Sequence, residues 1–493
     1  MADNEQKIEI EVSKKKQNLT PLAGLFAVNE LWEKAEISRV IDENITARRD
    51  RGYKDSEQIR AMTMLNLAGG EAPEHLRVLR ESLRLPGCLC KIPSVTAVRN
   101  YATEFHEPEN ENLRQKGTGL IPLETDSLRG FEAVHMHLFS LAYRHNPVRE
   151  LTLDQDATFI ETTTEGALYN YKGKRSFEAL NLYCYDYDMM LRTSYRDGNV
   201  NPGKNQLEQL KSVLDKLPQG IRKVKFRSDS AGYQIDLLKF CAEGEKTGVG
   251  VIDFAISCPV YEEFLKAVCA VPESDWQPLT EGQEWAEVMY VPNALCTSKK
   301  GPSYRFLAIR EPFNQKEAPS RQLLIPEIIE EIESSNKKLK KLHLTDMCGN
   351  VYKVFGVVTN LLETPGKDVI LWHRGRCGKS EEVHRILKED LAGGHIISRK
   401  LGANALWWNV AVLAMSLHSL VKQILLPSVV RKCRPKTLRF LFYMMVGRVI
   451  HHARRIVLRV DDGMGARWLS EAWRRLKTLT PDRKSTRLNS SHT

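Results

Sequence analysis

The chain has 493 residues and a mass of 56.3 kDa, enough for two to four structural units, because single cores rarely grow beyond about 250–300 residues. Apolar residues at 42% and charged residues at 27% exclude a disordered chain. The formal charge of +10, from 72 Lys and Arg against 62 Asp and Glu, permits a polyanionic partner without requiring one. No run of about 20 apolar residues favours a spanning helix. The polar start MADNEQKIEIEVSKKKQN has no secretory core, so the expectation is a cytoplasmic protein away from membranes. The 10 cysteines and 13 histidines are scattered, fit no zinc spacing, and read as reduced thiols and isolated imidazoles.

In chain order, residues 1–20 read as a flexible polar arm. Residues 21–145 read as largely helical, with apolar residues at three- and four-residue intervals, broken at Gly69-Gly70 and Pro86-Gly87 and by a charged linker candidate at 107–117. Residues 52–70, GYKDSEQIRAMTMLNLAGG, are a candidate for part of a helix-turn-helix. From residue 149 the pattern becomes strand, strand, strand, helix, strand, helix, strand up to 254, which predicts an α/β core with a mixed sheet. Residues 255–350 mix turns, a strand candidate at 304–310 and polar helix-like material near 327–341. A further strand is expected at 351–361 and a helix at 380–391. Residues 405–421, ALWWNVAVLAMSLHSLV, predict a buried helix beneath the core, with Trp407 and Trp408 packing inside it. Residues 421–460 carry ten Lys or Arg and no acid, and with interleaved aromatics predict a packed helical element with one basic face. Residues 481–493 read as a non-native tail.

The acids carry the chemistry. Asp154 and Asp156 lie two apart on a predicted strand and therefore share a face. Asp229 ends the strand VKFRS at a turn. Carboxylates on neighbouring strand ends can share a divalent cation, and a third is expected from a passing helix beginning at Glu381-Glu382. On that helix Glu381, Arg385 and Lys388 should share one face, and Arg374, Arg376 and Lys379 approach its start. Oxygen-only ligands favour magnesium, with manganese as a substitute, and two ions about 3.5–4 Å apart suit an in-line phosphoryl displacement.

The ordered motifs LDQDAT (153–158), FRSDSAGY (226–233), VYKVFGVVTN (351–360), RGRCGKSEEVHRILKEDLAGG (374–394) and GANALWWNVAVLAMSL (402–417) resemble a DDE transposase of the IS1380 family of bacterial insertion sequences. The resemblance spans roughly residues 20–475. It implies an α/β fold with a ribonuclease-H-like core split between 146–254 and 366–425 around a mainly β insertion at 255–365. A helical end-binding and dimerisation region at 21–145 and a basic helical C-terminal region at 426–480 flank that core. It implies the catalytic, metal-binding acids Asp156, Asp229 and Glu381, with Asp154 and Glu382 as alternatives, and a two-metal magnesium site. In related proteins a Tyr-x2-Arg-x3-Glu-x6-Lys pattern surrounds the third acid. Here Lys388 fits, but Arg374 and Cys377 stand at the Tyr and Arg positions, and only a one-residue extension reaches His373 and Arg376. The implied partners are double-stranded DNA, as terminal inverted repeats and target, and a second copy in a synaptic homodimer, on the nucleoid. The expected DNA contacts are Arg374, Arg376, Lys379, Arg385, Lys388, Arg431, Lys432, Arg434, Lys436, Arg439, Arg454 and Arg455. A ribonuclease-H-like nuclease and an inactive DNA-binding relic stay open beside the transposase.

Overall fold

The computed structural model describes residues 18–47, 52–83, 91–109, 124–244, 248–295, 303–312, 344–347, 350–452 and 455–479. The tail expected at 481–493, most of the N-terminal arm, most of the linker candidate and the helix-like material near 327–341 lie outside these residues.

After the short strand β1 (Leu19–Thr20), helices Leu25–Lys34, Ile37–Asn44, Asp55–Ala68, Val95–Thr103 and Asp126–His145 form the N-terminal region. Amphipathic spacing builds most of them, but Asp55–Ala68 is buried along almost its whole length. It packs against other helices, with its side chains inside the N-terminal region. Arg60 within it pairs with Glu33 at 2.6 Å and is itself buried.

The sheet strands follow as β2 (Glu150–Glu161), β3 (Leu168–Tyr169), β4 (Arg175–Cys184), β5 (Met189–Asp197), β6 (Lys223–Ser228), β7 (Asp253–Cys258), β8 (Gln277–Thr280), β9 (Gln283–Val288), β10 (Arg305–Pro312), β11 (Leu344–Met347) and β12 (Asn350–Thr359). One half runs β5-β4-β2-β6-β7, with β4 antiparallel to both β5 and β2, and β2, β6 and β7 mutually parallel. This mixed sheet, flanked by helices, is consistent with a ribonuclease-H-like core. β4 is paired along both edges and buried at nine of its ten positions, so both of its faces are covered. The segment 255–365 does not begin a separate sheet. Within it β12 pairs antiparallel with β7, and β10, β9 and β8 continue outward from there, so the core sheet grows at one edge.

Helix Leu401–Leu420 is buried at all twenty positions. It lies between β5 and the N-terminal helices Asp55–Ala68, Val95–Thr103 and Asp126–His145, which explains an apolar pattern on every side. Trp407 donates its indole N–H to the Ala392 carbonyl at 2.8 Å, and Trp408 to the Thr193 hydroxyl at 2.8 Å. No helix among the described residues is long and apolar enough to cross a membrane.

The basic C-terminal region is helical as expected, but a hairpin interrupts it. Helical turns cover Ser428–Val430 and Pro435–Leu438, the latter running on into a wider turn at Arg439–Tyr443, but β13 (Gly447–His452) and β14 (Arg455–Val460) form a hairpin before the helix Met464–Thr478. The run RVIHH and the run RIVLRV are rich in β-branched residues, which favours strands. The end of the N-terminal arm is held here, since Leu19 and Thr20 pair with Arg448 and Gly447 of β13.

Candidate active site

The parallel register of β2 and β6 sets the site. Asp154 stands opposite Arg227 and Gln155 opposite Ser228. One step further, past the last laddered pair, the same register brings Asp156 beside Asp229. The two pairs differ in chemistry. Asp154 accepts two bonds from Arg227, Nε to Oδ1 at 2.6 Å and Nη2 to Oδ2 at 2.8 Å, and both side chains are almost fully buried. The remaining Arg227 nitrogen donates to the Trp372 carbonyl at 2.7 Å. Asp154 is therefore neutralised within the sheet.

Asp156 and Asp229 have no such partner between them. Asp156 Oδ1 accepts from its neighbour's amide, Ala157 N, at 2.9 Å, and Oδ2 accepts from Arg376 Nη1 at 3.1 Å. Asp229 Oδ1 accepts from Ala231 N at 3.0 Å and caps the turn Ser230–Gly232. Burial raises the pKa of both acids. The Asp156 charge raises Asp229 further and the Glu381 charge raises Asp156 further, while Arg376 lowers both. Asp156 thus lies within electrostatic reach of both Asp229 and Glu381.

Glu381 comes from helix Lys379–Arg385, which continues as a five-residue π turn at Ile386–Asp390. Its carboxylate is exposed and accepts from the Gly378 amide at the helix start. His384, one turn on, approaches Asn181 of β4 through Nε2 at 3.3 Å. Asn181 pairs with Asp156 across β2 and β4 and accepts from Thr193 Oγ1 at 2.6 Å. The helix is therefore seated on β4, beside the strand that carries Asp156. Lys388 is half-buried, with Nζ donating to the Phe159 carbonyl of β2 at 3.4 Å, whereas Arg385 is exposed. The wider turn between them separates the face expected for Glu381, Arg385 and Lys388.

Glu382 is partly exposed, with Lys379 3.5 Å away. Lys379 also pairs with Asp188 at 3.2 Å, and Asp188 takes Lys422 at 3.0 Å and the Tyr183 hydroxyl at 2.6 Å. The two lysines, with the Tyr183 bond, hold the Asp188 carboxyl down at about 2 against its burial. This node ties the start of the Glu381 helix to the β4–β5 turn and to the end of the long buried helix. Arg374 donates to Gln283 Oε1 of β9 at 2.6 Å. His373 is buried, approaching the Ser228 carbonyl at 3.1 Å and Ser257 Oγ at 3.3 Å, and burial lowers its pKa to about 4.

Sequence reasoning missed one further acid. Glu178 of β4 is fully buried, pairs with Arg196 at 3.2 Å, and leaves Oε1 without a hydrogen bond. Burial raises its pKa to about 7 despite Arg196, with the Asp156 and Asp229 charges adding to the rise. An acid inside the apolar strand SFEALNLY was the signal available. Arg196 in turn donates to the carbonyls of Lys204 at 2.6 Å and Pro202 at 3.0 Å. The same loop takes Gln234 Nε2 on the Gly203 carbonyl at 2.6 Å, and Gln234 also holds the Ala231 carbonyl beside Asp229 at 2.9 Å.

The basic candidates separate into two groups. Arg431, Lys432, Lys436 and Arg455 are exposed. Arg434 is committed to Asp390 with bonds of 2.7 and 3.1 Å. Arg439 spans the end of helix Asp55–Ala68 and the π turn, donating to the carbonyls of Leu67 at 2.9 Å, Asn66 at 3.1 Å and Asp390 at 2.7 Å. Arg454 lies outside the described residues.

The donor set around Asp156 and Asp229 is all oxygen, its charges repel one another, and it suits a hard cation better than a soft one. Among the described residues no group of three or more His, Cys, Asp or Glu is close enough to hold an ion together. The Asp156–Asp229 pair fits such an ion, and Glu381 is turned instead toward Gly378.

A family model described as "Transposase DDE domain group 1" matches residues 3–293, more than half of the chain, and the chain belongs to that family. No curated protein matches it. Among solved structures, the cryo-EM structure of a piggyBac transposase synaptic complex with hairpin DNA is similar over 96% of this chain and 88% of that one, at 10% identity and a TM-score of 0.41.

Proposed function

We propose that this member of the DDE transposase family acts on the terminal inverted repeats of an insertion sequence of the IS1380 kind, hydrolysing phosphodiester bonds at the ends and joining the freed strands to target DNA. The observation that carries the reading is the acid pair Asp156 and Asp229 at the ends of adjacent parallel strands, with Glu381 within electrostatic reach of Asp156 and a single arginine, Arg376, bonded to Asp156. Repelling carboxylates at one strand edge cost stability, and an active site is where such a cost is repaid. Asp156 is favoured over Asp154 as the first acid because Asp154 is consumed by Arg227. Glu381 is favoured over Glu382 because its charge reaches Asp156.

Asp156 and Asp229 would hold magnesium, or manganese in its place, and Glu381 would complete the set on releasing the Gly378 amide. Divalent cations bound there would stabilise the attacking and leaving oxygens of an in-line displacement. Arg376 orients Asp156, and the Asp188 node fixes the helix start that presents Glu381. The incoming nucleophile is water for cleavage and a 3′-hydroxyl for joining. Exposed Arg385 beside the site, and Arg431, Lys432, Lys436 and Arg455 on the C-terminal region, take phosphates of the duplex. Two copies would pair two ends in one synapse.

The test is Asp229→Asn. Cleavage of labelled element-end duplex in magnesium should fall by several orders of magnitude, while gel-shift affinity for the same duplex stays unchanged. Cleavage equal to wild type removes Asp229 from the machinery. Wild-type cleavage without any strand joining would instead assign a nuclease.

A further inference from the structure

The turn between β3 and β4, beside the proposed catalytic acids, carries an exposed aromatic and basic cluster. Tyr169 is 60% exposed and Tyr171 74% exposed. The backbone that carries these two rings is pinned by side-chain hydrogen bonds. Asn170, itself buried, accepts on Oδ1 from the amides of Lys172 at 2.9 Å and Lys174 at 3.1 Å, and donates Nδ2 to Ser176 Oγ at 3.0 Å. Gly173 closes the turn at φ +74°, a conformation that favours glycine. Tyr171 meets Phe159 edge to face with ring centres 5.5 Å apart, and Lys172 Nζ lies 5.6 and 5.8 Å from the two ring centres. The Arg175 guanidinium sits 5.1 Å from the Tyr169 ring. Lys174 pairs with Glu161 at 2.9 Å, so Lys172 and Arg175 carry the turn's uncompensated positive charge.

The cluster is joined to the acids by covalent and helical geometry. Phe159 lies three residues beyond Asp156 on β2, a separation of about 10 Å at ~3.3 Å per residue. Lys388, on the helical segment that begins with Glu381, touches the Phe159 carbonyl. Asp156 and Phe159, an odd number of residues apart, face opposite sides of the strand, so a DNA strand running from the acids to the rings would pass around the end of β2.

We propose that Tyr169 and Tyr171, flanked by Lys172 and Arg175, form a stacking platform for unpaired nucleotides of the DNA strand engaged at the catalytic acids. The ligand class is single-stranded DNA. Ring faces bind bases with little regard to sequence, and the flanking cations take the phosphates. A helical duplex hides its base faces, so the platform distinguishes an opened end from a closed one. The pinned turn means that little ordering cost accompanies binding. This inference rests on the proposed activity for its biological setting, but its binding step does not need cleavage.

The experiment uses the full chain in EDTA, so that no strand is cut, with a short mixed-sequence fluorescein-labelled single strand and the duplex of the same sequence. Tyr171→Ala should weaken single-strand binding by roughly 5- to 100-fold, the range for loss of one stacked base, and leave duplex binding unchanged. Tyr171→Trp should retain single-strand binding, and a 2-aminopurine placed in the strand should be quenched by wild type and Tyr171→Trp but not by Tyr171→Ala. Equal single-strand affinity in wild type and a Tyr169→Ala, Tyr171→Ala double variant overturns the proposal. So does an equal loss of single-strand and duplex binding, or a change of oligomeric state with strand binding intact, which would make the cluster a contact between copies. If strand binding responds as expected but Asp229→Asn cleaves like wild type, the catalytic assignment fails and the platform stands.

Discussion

Asp154 and Asp156 share a strand and a face but should respond oppositely to the same substitution. Asp154→Asn removes the counter-charge from Arg227, whose side chain is 3% exposed. The guanidinium would keep its bond to the Trp372 carbonyl, one bond to the new amide oxygen and its contacts with the Tyr185 and Trp372 rings, 4.9 and 5.5 Å from their centres, but no counter-charge. Stranding one partner of a buried pair costs about 3–5 kcal/mol, so denaturant unfolding should show a loss of that order. Cleavage per folded molecule should survive in part. Asp156→Asn loses the Arg376 bond, whose partners are 10% and 21% exposed, but also relieves repulsion with Asp229 and Glu381. Those effects offset, and the net change should stay within roughly 1 kcal/mol, while cleavage is lost. Equilibrium unfolding and end-cleavage assays on the two variants give the answer together. If Asp154→Asn abolishes cleavage without destabilising the fold, or Asp156→Asn unfolds the protein and leaves activity in the folded fraction, the assignment of the two acids is reversed.

Arg439→Met should cost several kcal/mol, since three carbonyls lose a charged donor at about 1.5–3 kcal/mol each before relaxation, yet leave the salt dependence of DNA binding unchanged. Lys432→Ala should do the reverse, with wild-type stability and a salt slope reduced by about 0.9; identical slopes for Lys432→Ala and wild type would remove that residue from the DNA surface. His373 is held neutral, with its pKa lowered to about 4 from an ordinary 6.5. The unfolded chain therefore binds the proton first, and stability falls as pH drops from 6.5 toward 4, by about 3 kcal/mol for this group. In His373→Gln that part of the acid slope should vanish, and an unchanged slope between pH 6.5 and 4 would show that the imidazole is not the group responsible.

The sequence already contained the distinction between the two aspartates, in an offset rather than a motif. Arg227 follows Asp154 by 73 positions and Asp229 follows Asp156 by the same 73. Two parallel strands in that register must set a base against Asp154 and an acid against Asp156. Parallel register cannot be read from one strand at a time, so the alternation pattern showed only that the acids share a face. Helix Leu401–Leu420 was legible because its apolar residues run all round, and burial follows directly from that. The hairpin β13–β14 was not, because Arg and His alternate with Val, Ile and Leu in a stretch whose net charge dominated its reading. Helix Asp55–Ala68 shows the converse. Its apolar spacing marked a helix but not its burial all round, since the polar Arg60, Thr63 and Asn66 are buried too, with Arg60 bonded to neighbouring acceptors and Thr63 to its own helix.

The long separation of the second and third acids has a mechanical counterpart. Asp156 and Asp229 stand one step past the hydrogen-bonded register of β2 and β6, whose last pair is Gln155 with Ser228, and Asp156 is also held by the pairing of β2 with β4. Glu381 enters from a helix outside that ladder, after strands β8 to β12 have extended the sheet and returned the chain through β12 to β7. Its position depends on side chains alone: His384 on Asn181, Lys379 on Asp188, and Arg376 on Asp156. Side-chain contacts of this kind can exchange at a cost of a few kcal/mol, far below that of breaking a sheet. The Glu381 carboxylate, spent here on the Gly378 amide at the exposed end of its helix, is therefore the member of the acid set free to change partner. Under the proposed assignment, ion capture and DNA engagement would each favour drawing Glu381 from its bond to Gly378, and so would depend on one another. Gly378, at φ +75° with open space where a Cβ would stand, would be the joint for that exchange.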